Sequence, residues 1–439
     1  MIIRICLCLA LLVAVPAWCQ VVPDATGPPA DGGDQMRTPP PVNGEAFPVG
    51  TGAEMRSNLL RVGLNFQTGY DDNVLGIEST IPVADVSYMI GATLVFDQQT
   101  PRLHQTFTYG SGFTLYQHTS ARNESDQNAS GSFVYRLSPH ITATLRDSFQ
   151  KTTNVFNQPY AGVFGSAQPQ TAAVVAPFAD QLGNTASGDL RYQFSTNGMI
   201  GGSGTVANLK YPNPAQANGL SNSNTSGGSA FYNLRLSSTQ YTGMSYQYSR
   251  MGASLGNLQS QTQTQTIIGF YTIYFGNSLT LSASGGPQHL DLDESNVTPI
   301  SSWTPDVNVS IGWQRNHTNL AASYARGILG AGGLLGAFKS NSANANARWQ
   351  FGRTWTTGLA ASYAIDKNVL PGVLLTNAGG HTVLGTALLQ HTIGERFTAE
   401  LGYTRLHQSY SGILAISENP DGDREYVSIT YHFERPLGR

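Results

Sequence analysis

The chain has 439 residues and a formal net charge of −3, and only 12% of its residues are charged. So weak a charge gives no reason to expect a nucleic-acid partner. All three cysteines lie within the first 19 residues, which excludes disulfide and thiol chemistry from the rest of the chain.

The first 19 residues have the pattern of a secretory signal peptide. Arg4 precedes a short apolar run, and cleavage is predicted before Gln20. Lipidation of Cys19 is the alternative, but Trp18 is too bulky for the residue that precedes an acylated cysteine. We therefore expect residues 1–19 to be removed on export.

Residues 20–58 form a proline-rich stretch with seven prolines among glycine, aspartate and alanine. This composition predicts an extended, disordered arm on the periplasmic side. A spacer is the simpler interpretation, and a partner-binding arm is the alternative.

From residue 59 to residue 433, apolar and polar side chains alternate. In the last hairpin, Phe397, Leu401 and Tyr403 lie on one face, whereas Thr398 and Glu400 lie on the other. A period of two predicts strands, and no segment here supplies the ~18 apolar residues of a transmembrane helix. Eighteen strands are predicted near residues 59–70, 85–96, 103–117, 127–137, 141–150, 184–194, 199–211, 224–236, 241–250, 262–275, 279–290, 303–313, 319–328, 338–350, 354–365, 380–391, 397–408 and 424–433.

The connections between these strands alternate in length. Those after even-numbered strands are tight, whereas those after odd-numbered strands are expected to run from about nine residues to the thirty-odd of 151–183. Aromatic residues flank the tight turns, as expected of an interfacial girdle; they are Phe133, Tyr135, Tyr192, Phe194, Tyr274, Phe275 and Trp349. The pattern predicts an all-β, transmembrane, antiparallel up-and-down β-barrel of about 18 strands, with 16 left open, followed by a tail at 434–439. Outer-membrane barrels keep short turns in the periplasm, so both termini are predicted to be periplasmic.

Charged residues on the polar faces are predicted to line the lumen. They are Arg61, Arg136, Arg146, Arg191, Arg235 and Arg348, together with Asp189, Asp306 and Glu400. Four of the arginines precede a tight turn and suggest a basic ring that selects anionic or hydroxyl-rich solutes. The alternative is that they brace neighbouring strands, because closed barrels also have polar interiors.

Two kinds of loop carry further hypotheses. The loop at 151–183 is so apolar that we expect it to fold into the lumen or to cover the mouth as a lid. The other loops carry acidic side chains that could offer oxygen ligands to Ca²⁺, but none has EF-hand spacing, so solvated loop charge is the favoured interpretation. These acids are Asp71, Asp72, Glu78, Glu124, Asp126, Asp291, Asp293, Glu294, Glu418, Asp421 and Asp423.

The first predicted strand ends in Gly69-Tyr70-Asp71-Asp72-Asn73. This ending resembles the outer-membrane barrels called beta-barrel porin type two, some of which are associated with exopolysaccharide export. The resemblance implies the barrel fold and an export-associated channel, with Tyr70, Asp71, Asp72 and Asn73 as loop-turn residues. The tail beyond Phe433 departs from the usual pattern, in which a barrel ends on its last aromatic residue.

Taken together, these features predict a barrel in the outer membrane of a diderm bacterium, acting as a passive pore or an exopolysaccharide-associated export channel. A non-conducting surface barrel that serves as adhesin, receptor or structural contact is the alternative. The histidines form no catalytic or metal-binding pattern, so neither an enzyme nor a cofactor is expected. The expected partners are membrane lipid, the outer-membrane barrel assembly machinery, and polysaccharide or small hydrophilic solutes.

Overall fold

The computed structural model describes residues 36, 38–39, 42, 58–75, 82–153, 179–213, 220–255, 257–276, 278–295, 298–330, 336–369, 379–411 and 421–437. The predicted signal peptide, most of the proline-rich arm and residues 154–178 of the long apolar loop lie outside these residues. Within them, no helix has the length and apolar character needed to cross a membrane.

The described chain forms one antiparallel sheet of eighteen strands that closes on itself. The strands are β1 (Leu59–Asp71), β2 (Asp85–Gln99), β3 (Leu103–Tyr116), β4 (Glu124–Arg136), β5 (Ile141–Thr152), β6 (Gln181–Gln193), β7 (Gly198–Lys210), β8 (Asn222–Ser237), β9 (Gln240–Leu255), β10 (Leu258–Phe275), β11 (Leu279–Glu294), β12 (Ile300–Arg315), β13 (Thr318–Gly330), β14 (Ala337–Phe351), β15 (Trp355–Asn368), β16 (Gly379–Ile393), β17 (Phe397–Ser411) and β18 (Asp421–Pro436). A 3-10 turn at Ser120–Arg122 precedes β4. Each strand pairs with its neighbour in sequence, and β1 pairs with β18 from Leu59↔Pro436 to Asp71↔Arg424. The predicted fold class and the count of eighteen are confirmed.

The outer face of the barrel is apolar because the predicted alternation directs every second side chain, the apolar one, outward. On β1, Leu64 is 57% exposed and Phe66 is 51% exposed, whereas Asp71 on the inner face is only 2% exposed. The same outward exposure recurs around the wall at Ile90, Phe107, Phe113, Leu145, Leu190, Val206, Met244, Ile267, Ile311, Leu320, Leu359, Leu401, Val427 and Ile429. A closed barrel with such an apolar outer belt is the β architecture that crosses an outer membrane, since every backbone polar group is paired within the wall.

The connections define two ends of the barrel. Those after even-numbered strands have two to four residues and define the turn end, where both β1 begins and β18 finishes. Gly352 and Gly394 have positive φ values of 72° and 64° in two of these turns, which is the left-handed conformation that glycine adopts without a Cβ clash. The opposite end is the loop end.

The loop lengths differ from the sequence prediction. After β9, β11 and β13 the connections shrink to residues 256–257, 295–299 and 331–336, because the strands run further than predicted. The backbone continues its ladder past the last apolar side chain, where polar residues such as Gln259 and Gln261 pair as strand. Strands predicted to end where the alternation weakens are therefore too short at the loop end of the barrel.

The aromatic girdle at the turn end is largely as predicted. Phe133 stacks on Tyr135 with ring centroids 6.2 Å apart, and Trp349 lies 5.3 Å from Phe351. Tyr274 is the exception: it is 7% exposed and lies inside the barrel, so its assignment to the girdle is wrong.

The last strand extends beyond the predicted boundary at Phe433. Glu434 belongs to β18 and lies opposite Arg61, and the amide of Leu437 donates to the Asn58 carbonyl over 2.8 Å. The residues predicted as a tail therefore begin as part of the barrel wall, where they close the seam at the turn end.

Candidate functional site in the barrel lumen

The predicted basic residues lie in the lumen near the turn end, but they do not form a complete ring. Arg136, Arg191 and Arg235 are carried by β4, β6 and β8, within three residues of the ends of those strands. Arg61 and Arg348 lie apart from them on β1 and β14. The basic character is therefore concentrated on the β4–β8 part of the wall.

Most of these guanidinium groups contact the wall. Asp189 Oδ2 forms an ion pair with Arg191 Nε over 2.8 Å, and Asp189 Oδ1 lies 3.6 Å from Arg146 Nη1. Arg61 pairs with Glu434 over 2.6 Å, and Arg235 Nε donates to Asn197 Oδ1 over 3.1 Å. These contacts have the geometry of strand bracing, which was the alternative to a filter. Bracing leaves the charges facing the lumen, so it does not by itself exclude ion selection.

The other two predicted acids differ in their surroundings. Glu400 accepts hydrogen bonds from the Tyr426 hydroxyl over 2.8 Å and from the Gln390 amide over 3.1 Å. Asp306 on β12 lies against Gly327 of β13, and within the described residues it has no salt-bridge partner. Glu400 is thus held by neutral donors of the wall, whereas Asp306 offers an unneutralised carboxyl group to the lumen.

The Tyr70–Asn73 motif closes the seam between the first and last strands. Asp72 Oδ1 accepts from the Asp423 amide over 2.8 Å, while the Asp72 amide donates to the Asp423 carbonyl over 3.1 Å. Asn73 Nδ2 donates to the Asp421 carbonyl over 2.8 Å, and the Asn73 amide donates to Asp71 Oδ1 over 3.0 Å. Four hydrogen bonds therefore give these residues a structural role at the loop end, beyond the loop turn that the resemblance implied.

Several of the acids predicted as solvated loop charges are buried. Asp71, Glu124 and Asp126 are 2%, 6% and 0% exposed, because they lie on the inner face of strand ends. For these three the solvated interpretation is wrong. Glu78 and Glu418 lie outside the described residues, and no group of three or more candidate metal ligands occurs in the part of the chain that the structure describes.

A short N-terminal segment, described at Met36, Thr38, Pro39 and Val42, lies inside the barrel at its turn end. Met36 is 8% exposed and packs in an apolar cluster on the inner wall. The cluster, called here the lumen patch, consists of Met199 on β7, Phe231 on β8, Tyr241 on β9 and Tyr274 on β10. Val42 packs against the same cluster.

Polar contacts fix this segment to the same part of the wall. The Met36 amide donates to Gln193 Oε1 over 3.1 Å, and Arg191 Nη1 donates to the Thr38 hydroxyl over 3.2 Å. Thr38 Oγ1 also lies 3.8 Å from the Met199 sulfur. These residues of the proline-rich arm therefore differ from the spacer expected of the whole arm, since they dock on the barrel from inside.

The lumen patch has a signal in the sequence that the strand prediction missed. Met199-Ile200, Phe231-Tyr232 and Tyr274-Phe275 are consecutive apolar pairs near the turn end. Strand alternation sends the two members of a pair to opposite faces, so one of each pair must face the lumen. Three such interruptions of the alternation, on β7, β8 and β10, predict an apolar patch on the inner wall. An apolar patch on a wall that faces water indicates that another segment covers it.

Comparison with known proteins finds solved outer-membrane barrels that share little sequence with this chain. No family model and no curated protein matches. Among solved structures, the unliganded ferric citrate transporter FecA is 11% identical with a TM-score of 0.45, over 87% of this chain and 64% of that one. OpdK of Pseudomonas aeruginosa with vanillate is 10% identical with a TM-score of 0.40, over 86% and 99% of the two chains. OccAB4 of Acinetobacter baumannii is 9% identical with a TM-score of 0.42, over 87% and 99%. The match thus spans 64% of FecA, which is less than two thirds of its length.

Proposed function

We propose that this chain is an outer-membrane channel for hydrophilic solutes, with its turn end in the periplasm. The observation that carries the proposal is a closed wall of eighteen strands with an apolar outer face and a largely polar inner face. Barrels of 16 to 18 strands enclose an aqueous channel. Short turns in the periplasm are the rule for such barrels, and both termini then lie on that side.

The docked N-terminal segment makes this a channel with a narrowed periplasmic mouth. Met36 reaches the inner wall at the turn end, where the first strand also begins. A segment attached there enters the lumen from the periplasm without crossing the membrane. Its contacts with β6 to β10 reduce the open cross-section at that mouth.

The charged wall favours anionic or hydroxyl-rich solutes. Arg136, Arg191 and Arg235 lie on one side of the lumen, and guanidinium groups offer several rigid donors to carboxylate, phosphate or hydroxyl oxygens. Polysaccharide passing outward through an export system is the more specific substrate that the resemblance at Tyr70–Asn73 supports. The proposal includes no catalytic role and no cofactor, and its partners are membrane lipid and the assembly machinery that inserts such barrels.

Conductance in planar bilayers tests this proposal. The purified barrel should give discrete conductance steps, and acidic oligosaccharides added on one side should block them at lower concentration than neutral ones of equal length. Block by acidic and neutral sugars alike would contradict the preference for anions. A barrel that never conducts, even after the N-terminal segment is removed, would overturn the channel and favour the surface-contact function.

A further inference from the structure

Three basic side chains form a group on the outer face near the loop end, with no ion pair among the residues that the structure describes. They are Arg326 on β13, Lys339 on β14 and Lys367 on β15, and all three are exposed. Their chain neighbours Phe338 and Asp366 are buried, at 0% exposure each, so alternation directs the three cations away from the lumen. We call this group the outer cationic patch.

The register of the sheet places these charges side by side. Lys339 and Lys367 are direct cross-strand partners between β14 and β15. Arg326 is opposite Asn341, two residues from Lys339 on the same strand. Like charges directly opposite each other on one face of a sheet destabilise it, and the diagonal neighbour is only about 7–8 Å away. The arrangement therefore gains stability from an anion that bridges the three groups.

The part of the chain that the structure describes supplies no such anion nearby. Within the described residues, none of the three cations forms an ion pair or a side-chain hydrogen bond, and the sequences of the two adjoining connections, 331–336 and 369–378, contain no acidic residue. The contrast with β17 and β18 is direct. There the outward-facing Arg405 pairs with Asp423 over 3.6 Å, and His407 pairs with Asp421. Within the described residues, these outer charges of β17 and β18 are paired, whereas Arg326, Lys339 and Lys367 are not.

The height of the patch matches the headgroup region of a membrane. Lys367 lies twelve residues beyond Trp355, which begins β15 at the turn end. At about 3.3 Å per residue and a tilt of about 40°, this separation is about 30 Å along the barrel axis, whereas the apolar belt of such barrels is about 25 Å tall. Tyr324 and Tyr363 are exposed on the outer face just below the patch, as interfacial aromatics are. The cations therefore lie just past the hydrocarbon edge, at phosphate depth.

We propose that the outer cationic patch binds the phosphate group of a membrane lipid, with the acyl chains of that lipid against the belt below. Two ammonium groups and a guanidinium at this spacing can share the oxygens of one phosphate through charge-assisted hydrogen bonds. The site follows from the wall itself. Only its assignment to the outer leaflet rests on the proposed orientation, and in that leaflet the ligand would be a phosphorylated glycolipid.

Native mass spectrometry of the full barrel, released from detergent micelles doped with bisphosphorylated lipid A, measures this binding. The variant Lys339→Gln/Lys367→Gln should weaken lipid affinity about 100-fold, since removal of one charge-assisted hydrogen bond weakens binding about tenfold. The matched control Lys210→Gln/Arg250→Gln removes the same charge from outward positions on β7 and β9 and should change affinity less than about twofold. Lipid A without phosphates should bind the wild type as weakly as the variant binds the phosphorylated form.

Several results would overturn the site. Equal losses in the variant and the control would mean diffuse charge attraction, and unchanged binding in the variant would place the lipid elsewhere. If inorganic phosphate binds as tightly as the lipid, the site is an anion site and not a site for a membrane lipid. If the double variant does not give the heat-modifiable folded form, the single variant Lys367→Gln and the salt dependence of wild-type lipid binding test the site instead. Added salt must weaken lipid binding, because phosphate contacts at an exposed site are screened by salt. None of these measurements depends on whether the channel conducts.

Discussion

The Arg191 guanidinium donates a hydrogen bond of 3.2 Å to the Thr38 hydroxyl, and so ties the N-terminal segment to the barrel wall. The same guanidinium pairs with Asp189 over 2.8 Å. One arginine thus pairs with an acid of its own strand and also contacts the N-terminal segment in the lumen. A basic residue predicted to select solutes is therefore also part of the contact between the segment and the wall.

Removal of the Met36 side chain from the lumen patch should open the periplasmic mouth. Burial of a methionine side chain contributes about 1.5–3 kcal/mol, and a carboxylate in the same apolar place is costly without a partner. Met36→Asp should therefore release the segment and raise single-channel conductance in planar bilayers, whereas Met36→Leu keeps the volume and the conductance. Equal conductance in both variants and the wild type would show that the segment does not obstruct the mouth.

Asp189 should set the charge balance of the lumen wall. It lies against both Arg191 and Arg146, so Asp189→Asn removes the negative charge that these two guanidinium groups share. We expect the reversal potential under a salt gradient to shift toward anion preference, with the folded barrel retained. Asp293→Asn, an exposed position near the loop end of β11, is the control and should shift nothing. A variant that fails to fold would mean that Asp189 serves chiefly to brace β5 against β6.

The Asp72 side chain should stabilise the seam. It accepts from the Asp423 amide across the junction of the first and last strands, and a hydrogen bond of this kind contributes about 1–2 kcal/mol. Asp72→Ala should lower the free energy of unfolding by that amount in urea titrations of the reconstituted barrel. Asp72→Asn retains a side-chain carbonyl acceptor and should recover most of the loss. Equal stability of the alanine and asparagine variants would refute a role for this bond.

The sequence predicted the wall well and the lumen poorly, for a physical reason. All eighteen strands follow from the alternation that lipid and water impose on every residue pair, as in Phe397, Leu401 and Glu400. The docking of Met36 depends on a segment with no periodicity of its own meeting side chains from four strands. The seam contacts of Asp72 are likewise set by closure of the barrel, which joins residues 351 positions apart. Contacts of this kind are fixed by the register of the whole sheet, and local pattern does not carry them.

Thiol labelling should decide which end of the barrel faces the periplasm. The predicted mature chain contains no cysteine, so single introduced cysteines report without background. Ser238→Cys lies in the two-residue turn between β8 and β9, and Asp293→Cys lies near the loop end of β11. On intact cells a membrane-impermeant maleimide should label Cys at 293 and reach the one at 238 only after the outer membrane is permeabilised. The reverse result would invert the proposed topology.

Asp147 is a carboxylate on the lipid-facing side of the belt. Its outward neighbours Leu145 and Phe149 are 60% and 37% exposed, and its Oδ1 accepts from Asn184 Nδ2 over 3.0 Å. It lies six residues beyond Ile141, which places it about 15 Å from the turn end along the barrel axis. Because the apolar belt is about 25 Å tall, Asp147 lies near the midplane of the membrane. Around it, outward-facing residues that include Gly131, Gly188 and Gly204 line a groove of about 770 Å³ on the outside of β2 to β8.

A charged residue at this depth should cost stability. Basic residues facing lipid at the midplane cost about 2–4 kcal/mol and acidic ones less. The double variant Asp147→Leu/Asn184→Leu removes both polar groups together and should raise the free energy of unfolding by less than about 2 kcal/mol in urea titrations in lipid vesicles. The single variant Asn184→Leu leaves the carboxylate without its amide donor and should lower it. If the double variant is instead less stable than the wild type, the Asp147–Asn184 pair stabilises β5 against β6 by more than its exposure to lipid costs.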